Sequence, residues 1–253
     1  MKANRHQLDR SLAVWLAGRI GMDAYARMAE QLAGEVSQPA GRPPTLLLYE
    51  PAASITVGRL GSRLDVGFSD DELQSRRLAI RFVGRGGGAV LHGPGQVGIA
   101  LFARLADLGL GPTDVGGYVD RFEAVLEAAV RALRCGAARD SRAAGIFGRT
   151  GLLAAVGIAI RRGVTWHGGF LNVTAAEMPA HRVRSVPIAA GLGMRTMSAV
   201  ETDVQRKVRL QDARSAIVQQ MVDVFGFIDA HVHAGFPLPI REPFQPESVS
   251  CVG

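Results

Sequence analysis

The chain has 253 residues, of which 47% are hydrophobic and 21% charged, as is typical of a folded globular protein with a sizeable core. Its formal net charge is +6, yet the basic residues, all arginine except Lys2 and Lys207, are scattered among acidic ones. Because nucleic-acid binders usually carry a clustered basic face, this pattern argues against a nucleic-acid partner.

The cysteines and the apolar stretches bear on the cellular compartment, on metal binding and on membrane association. Cys135 and Cys251 form neither a disulfide framework nor a metal-ligand spacing, so we expect no metal site and a reducing cytoplasm. The apolar segment 11–17 is short and is followed at once by Arg19. We therefore predict neither a signal peptide nor a membrane span, and no membrane partner.

Hydrophobic periodicity and turn residues predict the elements in chain order. They are a helix over 22–36, strands over 45–49 and 54–58, a short helix capped at Ser69 that ends near 77, strands over 78–83 and 97–102, a long helix over 115–133, a hairpin with arms 151–160 and 164–168 continuing through 170–173, and a helix over 201–227. Residues 137–149, which are small, polar and glycine-containing, are expected to form turns.

This mixture of elements predicts one α/β (α+β) domain with mixed, largely antiparallel sheets and surrounding helices. We divide the chain into an N-terminal extension over 1–21, a domain over 22–236 and a proline-rich tail over 237–253.

The segment 85–96 contains five glycines and one proline, between two predicted strands. Glycine lets backbone N–H groups approach a ligand, and a run of them forms a donor surface for an anion or a carbonyl oxygen. Arg85 and His92 add a fixed cation and a titratable ring. Arg85 either faces an anion or orders the loop, and His92 either polarises a carbonyl or satisfies the loop's own backbone.

These residues resemble the octanoyltransferases of lipoyl synthesis, and the likeness spans roughly Met22 to Ser198 in the family's order. The matching stretches are Tyr25 to Gln31, Leu46 to Pro51 with Thr56, Gly58 and Arg59, Arg85-Gly86-Gly87, His92 to Gln96, Ala154 to Gly157, Arg161 to Thr165, His167-Gly168 and Leu171 to Val173.

The resemblance implies the fold of lipoate and biotin ligases, in which mixed sheets surround a pocket for an octanoyl or lipoyl chain. Family members move octanoyl from acyl carrier protein to a lysine of a lipoyl domain, which makes those two proteins the implied partners; we expect no cofactor. The implied substrate contacts are Arg85, Gly86, Gly87, Gly88, Ala89, Val90, Leu91, His92, Ala155, Val156, Gly157, Gly168, Gly169 and Phe170.

The family's catalytic pair is replaced. Its activating lysine falls on Leu152, and its nucleophilic cysteine, which follows Val-Pro, falls on Ile188. Neither side chain can attack a carbonyl or hold a charge, and a free thiol needs a nearby cation to become a thiolate. Phe170 stands where the family has a small residue, and it would fill acyl space if it faced the pocket.

The sequence therefore favours a family member that binds an acyl group or a lipoyl domain with little or no transfer. One alternative is an active transferase that uses Cys251, Cys135 or His92 as nucleophile or passes octanoyl directly. Another alternative is a non-enzymatic subunit of an acyl-handling assembly.

Several other polar residues have competing interpretations. His167 supports the site or is a strand histidine held by core hydrogen bonds, and Asn172 is expected to be structural. His231 and His233 resemble a metal pair but lack a third ligand, so a chance pair is favoured. Lys207 is expected to face solvent.

Overall fold

Nearly continuous apolar runs build the central strands of this protein. The computed structural model describes residues 11–38, 41–174, 180–185 and 196–237. The strands are β1 (Ser11–Ile20), β2 (Thr45–Pro51), β3 (Ser54–Val57), β4 (Ile80–Phe82), β5 (Ala89–His92), β6 (Gln96–Phe102), β7 (Ala138–Asp140), β8 (Ala143–Phe147), β9 (Leu152–Arg161), β10 (Val164–Asn172) and β11 (Asp229–Ala234). The helices are α1 (Met22–Ser37), α2 (Asp70–Ser75), α3 (Val115–Ala132), α4 (Val200–Val204) and α5 (Leu210–Phe225).

A large sheet of eight strands carries the domain, in the order β11-β1-β2-β6-β10-β9-β8-β7, and a small sheet has the order β4-β3-β5. Strand β1 is parallel to both of its neighbours and β3 is parallel to β4, whereas the other pairs are antiparallel. The predicted fold class, mixed and largely antiparallel, is confirmed.

The large sheet is buried on both faces, because successive side chains of a strand point to opposite sides. On β2, Leu46 and Leu48 join the core formed with α3 and α5, whereas Leu47 and Tyr49 join the core formed with α1 and the small sheet. The second core lies under the glycine-rich segment and so supports the candidate site. No helix in the described ranges is both long and apolar enough to span a bilayer.

Local signals located several elements correctly. Ser69 caps α2 in a capping box with Glu72, as its spacing predicts. The β9–β10 hairpin turns through Arg162 and Gly163, whose φ angles of 50° and 75° suit a tight two-residue turn.

Four segments differ from the sequence-based expectations. Residues 138–147 form β7 and β8 rather than turns, because β8 pairs with β9 and buries Ile146 and Phe147. The expected helix over 201–227 is two helices, interrupted by Gln205 in the left-handed conformation. Residues 89–92, read as loop, form β5 against β3. The expected N-terminal extension contains β1, a strand inside the large sheet.

Candidate functional site

The glycine-rich segment divides into a loop over residues 84–88, which we call the Gly loop, then β5 and a turn over 93–95. Backbone hydrogen bonds fix the Gly loop on two sides: Gly86 N–H donates to Ile158 O on β9 at 2.9 Å, and Gly58 N–H donates to Gly88 O at 3.1 Å. Gly87 takes a φ of 76°, which favours glycine. The loop is therefore held in one position between the two sheets.

Arg85 lies inside this arrangement with only 3% of its surface exposed. A Cβ placed on Gly58 or Gly157 would approach Arg85 Nη1 to 2.8 or 2.9 Å. Both Cβ atoms would lie at least as close to backbone oxygens of the Gly loop, so these glycines make room for the loop and for the Arg85 side chain together. Burial lowers the pKa of Arg85 to about 10, so the side chain stays charged at neutral pH.

The guanidinium of Arg85 is bonded to neutral groups. Its Nη1 donates to Gly86 O at 2.9 Å, and its Nη2 donates to Thr56 Oγ1 at 2.8 Å and Thr56 O at 3.1 Å. Its Nε is buried and has no hydrogen-bond partner in the described part of the chain. Arg85 therefore orders the loop while its Nε–H is left unpaired among the described residues.

A continuous series of buried hydrogen bonds runs from Arg85 to β9. Thr56 Oγ1 contacts His92 Nε2 at 2.7 Å, and His92 Nδ1 contacts Gln96 Oε1 at 2.9 Å. Gln96 Nε2 donates to Asn172 Oδ1 at 2.7 Å, and Asn172 Nδ2 donates to the carbonyl of Leu152 at 3.3 Å. We call this series the polar relay. It makes Asn172 structural, as expected.

His92 is fully buried, and burial lowers its pKa to about 3. Both ring nitrogens have side-chain partners, Thr56 and Gln96. The neutral imidazole is thus a fixed member of the polar relay, and neither nitrogen is free to take a proton from a substrate. The sequence suggested the loop's own backbone as the alternative partner of His92, whereas the observed partners are side chains.

The wall beneath the Gly loop encloses a cavity of about 150 Å³, which we call the loop cavity. Leu152 lines it and is 1% exposed, so the position expected to carry the family's lysine is apolar and buried. Among the described residues the lining contains neither cysteine nor lysine: it comprises Leu60, Arg85, Gly87, Gly88, Val90, Arg142, Ala143, Ala144, Leu152, Ala155, Val156 and Ser185.

A second cavity of about 140 Å³, the turn cavity, opens beside the turn that follows β5. Residues Leu91 to Gln96 line it together with Asn172, Thr174 and Ser198. The implied substrate contacts are therefore divided: Arg85, Gly87, Gly88, Val90, Ala155 and Val156 lie on the loop cavity, and Leu91 and His92 lie on the turn cavity.

The β10 residues implied as contacts lie on neither cavity. A Cβ on Gly168 would reach Ile99 O, and one on Gly169 would lie 3.1 Å from the Phe122 ring of α3, so both glycines serve packing. The Phe170 ring packs on His92 at 4.3 Å between centroids and is 9% exposed. Phe170 thus covers the polar relay.

An aromatic cluster beside the site was not foreseen. Tyr25 stacks on Tyr49 with centroids 5.0 Å apart, and the Tyr25 hydroxyl lies 3.4 Å from His167 Nδ1. Burial, and then the charges of Arg85, Arg161 and Arg59, lower the pKa of His167 to about 3. His167 takes a φ of 62°, unusual inside a strand. Its neutral ring and its contact with the buried Tyr25 agree equally with a supporting role and with a strand histidine held by core hydrogen bonds.

The other candidate residues lie elsewhere. Cys135 belongs to the core under α3 and α5, and its thiol donates to Asp203 Oδ2 at 3.6 Å. Burial and Asp203 raise its pKa to about 11, which opposes thiolate formation.

The side chain of Lys207 is 96% exposed, so it faces solvent. His233 stacks on Trp15, and His231 lies 3.4 Å from Asp229. Ile188 and Cys251 lie outside the described residues.

The roles of two site residues were not predicted from the sequence. Thr56 was noted only as part of the resemblance, although a hydroxyl inside the apolar run 54–57 is a signal for a buried hydrogen bond. Ser185 carries no local signal, since it reaches the loop cavity only through the tertiary fold.

Comparison with known proteins identifies the family of this chain. The model of the lipoyl protein ligase A/B catalytic domain matches residues 24–222. The octanoyltransferase of Geobacter metallireducens is 33% identical over 205 residues, which are 79% of this chain and 87% of that protein. The octanoyltransferase of Geotalea uraniireducens is 29% identical over 213 residues, which are 84% of this chain and 91% of that protein.

Solved structures share the fold at lower identity. A bi-partite lipoate protein ligase from Thermoplasma acidophilum superposes with a TM-score of 0.69 at 17% identity, covering 88% of this chain and 87% of that one. A lipoate-protein ligase A bound with ATP gives a TM-score of 0.67 at 16% identity, covering 88% of each chain. At these identities the likeness shows the fold alone.

Proposed function

Because this chain belongs to the lipoyl protein ligase A/B catalytic-domain family, with octanoyltransferases among its relatives, we propose that it serves protein lipoylation as a binding protein. It holds an acyl group or a lipoyl domain, and its transfer of octanoyl from acyl carrier protein to a lipoyl-domain lysine is lost or strongly reduced. The cysteine-poor composition supports action in the cytoplasm.

The observation that carries this proposal is Leu152 on the wall of the loop cavity. Acyl transfer through a thioester needs a thiolate, and a nearby cation is what lowers the pKa of a thiol. An aliphatic side chain at this position supplies no charge. Removing a nucleophile typically lowers turnover by several orders of magnitude even when binding groups remain, so the Leu152 and Ile188 replacements together favour binding without turnover.

Two other candidate nucleophiles lie within the described residues, and the surroundings of both oppose catalysis. The raised pKa of Cys135 and its place in the opposite core make it a poor nucleophile. Both nitrogens of His92 are engaged in the polar relay. An active transferase would thus need Cys251 or direct transfer between its substrates.

The test is incubation of the protein with octanoyl-acyl carrier protein and an apo lipoyl domain, followed by mass spectrometry of the lipoyl domain. We expect no octanoylation above the reaction without protein, while the lipoyl domain or the carrier protein still binds. Octanoylation at the rate of an active octanoyltransferase would defeat the proposal. An acyl adduct on the protein that disappears in Cys251→Ser would establish the relocated nucleophile instead.

A further inference from the structure

The outer edge of β11 is open among the described residues. This strand ends the large sheet, where it pairs with β1 alone. Five of its six residues are exposed. An uncovered edge strand offers a row of unpaired backbone donors and acceptors to another strand. The edge of β11 is therefore a candidate site for pairing with a further strand.

The register of β11 with β1 shows which of its backbone groups face outward. Gly235 N–H donates to Leu16 O at 3.1 Å, and Leu16 pairs with Ala234. Successive residues of a strand point their backbone groups to opposite sides, so the odd-numbered residues of β11 face β1 like Gly235. The even-numbered residues, with Val232 at their centre, therefore point their N–H and C=O groups to the open edge.

The opposite edge of the same sheet is protected in ways that β11 is not. Strand β7 has three residues, carries the charged Arg139 and Asp140, and shifts register against β8 between them. Short length, charge and irregular pairing are devices that keep a sheet edge from pairing with another chain. Strand β11 has six residues, contains neither lysine nor proline, and keeps a regular register with β1.

The side chains of β11 are complementary to those of a second copy of this chain. Antiparallel pairing about a twofold axis through Ala230 sets Asp229 opposite His231 of the second copy. The same pairing sets Ile228, 70% exposed, opposite Val232, 56% exposed. Directly opposed charges of opposite sign and directly opposed apolar side chains both stabilise a strand pair.

Neighbouring registers match less well. An axis through His231 sets this ring opposite its own copy, although it still places Asp229 opposite a histidine. It also sets Val232 opposite Ala230, so the larger apolar side chains no longer meet. An axis through Val232 sets His231 opposite His233. The register about Ala230 is therefore the one in which charges and apolar side chains are complementary together.

We propose that this chain forms a symmetric dimer in which two β11 strands pair antiparallel about a twofold axis through Ala230. The pairing joins the two large sheets into one continuous sheet, and each copy contributes the same surface, as is usual in homodimers. The proposal is independent of the proposed function, because β11 lines neither the loop cavity nor the turn cavity.

Sedimentation equilibrium of the full chain over a concentration series tests the dimer. We expect the measured mass to rise toward that of two chains as the concentration increases. Val232→Pro is expected to give the mass of one chain throughout, because the N–H that proline removes faces the open edge and not β1. The matched control is Val115→Pro at the first position of α3, which tolerates proline and should leave the dimer intact.

A wild-type protein with the mass of one chain at every concentration would overturn the proposal. A dimer that survives Val232→Pro would also overturn it, because the copies would then meet through another surface.

A charge exchange tests the register. His231→Glu opposes a carboxylate to Asp229 of the second copy in two symmetric places. We expect the dissociation constant of the dimer to rise about tenfold. The double variant Asp229→Lys/His231→Glu restores opposite charges in both places and should return the constant to within about threefold of the wild type. A double variant as weak as His231→Glu would refute the pairing about Ala230.

Thermal unfolding of each variant monitors folding. Should Val232→Pro fail to fold, the charge exchange decides the proposal, because Asp229 and His231 have side chains that are 52% and 63% exposed and support no core.

Discussion

Thr56 Oγ1 lies 2.7 Å from His92 Nε2, and this contact joins the Gly loop to the polar relay beneath it. The direction of the bond follows from its neighbours. Gln96 Oε1 can only accept, so His92 carries its proton on Nδ1 and Nε2 is an acceptor. Thr56 therefore donates to His92 while its oxygen accepts from Arg85. The relay has one direction, from the guanidinium to the carbonyl of Leu152.

Replacing Thr56 with valine tests the relay. Thr56→Val keeps the shape of the side chain but leaves His92 Nε2 and one Arg85 donor unpaired in a buried site. We expect the free energy of unfolding to fall by about 1–3 kcal/mol. Urea unfolding measures it, with Thr56→Ser, which keeps the hydroxyl, as the matched control. Equal stability of the valine and serine variants would show that the hydroxyl contributes nothing.

The buried imidazole predicts a loss of stability at acidic pH. Burial lowers the pKa of His92 from its ordinary 6.5 to about 3, so the unfolded chain binds a proton that the folded chain excludes. The free energy of unfolding is therefore unaffected by the titration of this histidine above pH 6.5, and it declines as the pH falls from 6.5 toward 3. At about 1.4 kcal/mol per pH unit, the decline reaches about 2 kcal/mol at pH 5.

Urea unfolding between pH 7.5 and pH 5 measures this slope. His92→Gln removes the titrating ring and should flatten the slope by that amount. The exposed His181 provides the control, and His181→Gln should keep the wild-type slope. Parallel slopes for the wild type and His92→Gln would contradict the neutral buried imidazole.

Replacing Gly157 with alanine tests the close packing around Arg85. The Cβ of Gly157→Ala would lie 2.8 Å from Gly86 O and 2.9 Å from Arg85 Cδ. Displacing the guanidinium should destabilise the fold by about 1–3 kcal/mol. The control is Gly116→Ala on α3, where a Cβ meets nothing within 4 Å and a gain of up to about 1 kcal/mol is expected. Two variants of equal stability would argue against the close packing of Arg85.

The sequence predicted the fold well where local signals were strong. The capping box at Ser69, the turn at Gly163 and the periodicity of α3 each place an element nearly where it lies. It failed over 138–147, where small residues become strands only because β9 offers a partner. Pairing between distant segments overrides weak local propensity, and no local pattern reports it.

The candidate site was predicted in part. Arg85, Gly87 and Val90, which the resemblance implied as substrate contacts, lie on the loop cavity together with Leu152, the position of the family's lysine. Gly157, which the resemblance implied as a substrate contact, packs closely against Gly86 and Arg85, and spacing along the chain did not indicate that packing. The roles of Thr56 and Ser185 depend on contacts across the fold, which spacing along the chain does not encode.

The most direct test of the account compares octanoyl transfer by the wild type and by Leu152→Lys/Ile188→Cys, which restores the family's pair. Leu153→Lys/Ile188→Cys is the matched control, because Leu153 joins the core under α3 and α5. With octanoyl-acyl carrier protein and an apo lipoyl domain, we predict transfer by the restored variant alone. Transfer by the wild type as fast as by the restored variant would contradict the claim that the missing pair abolishes activity.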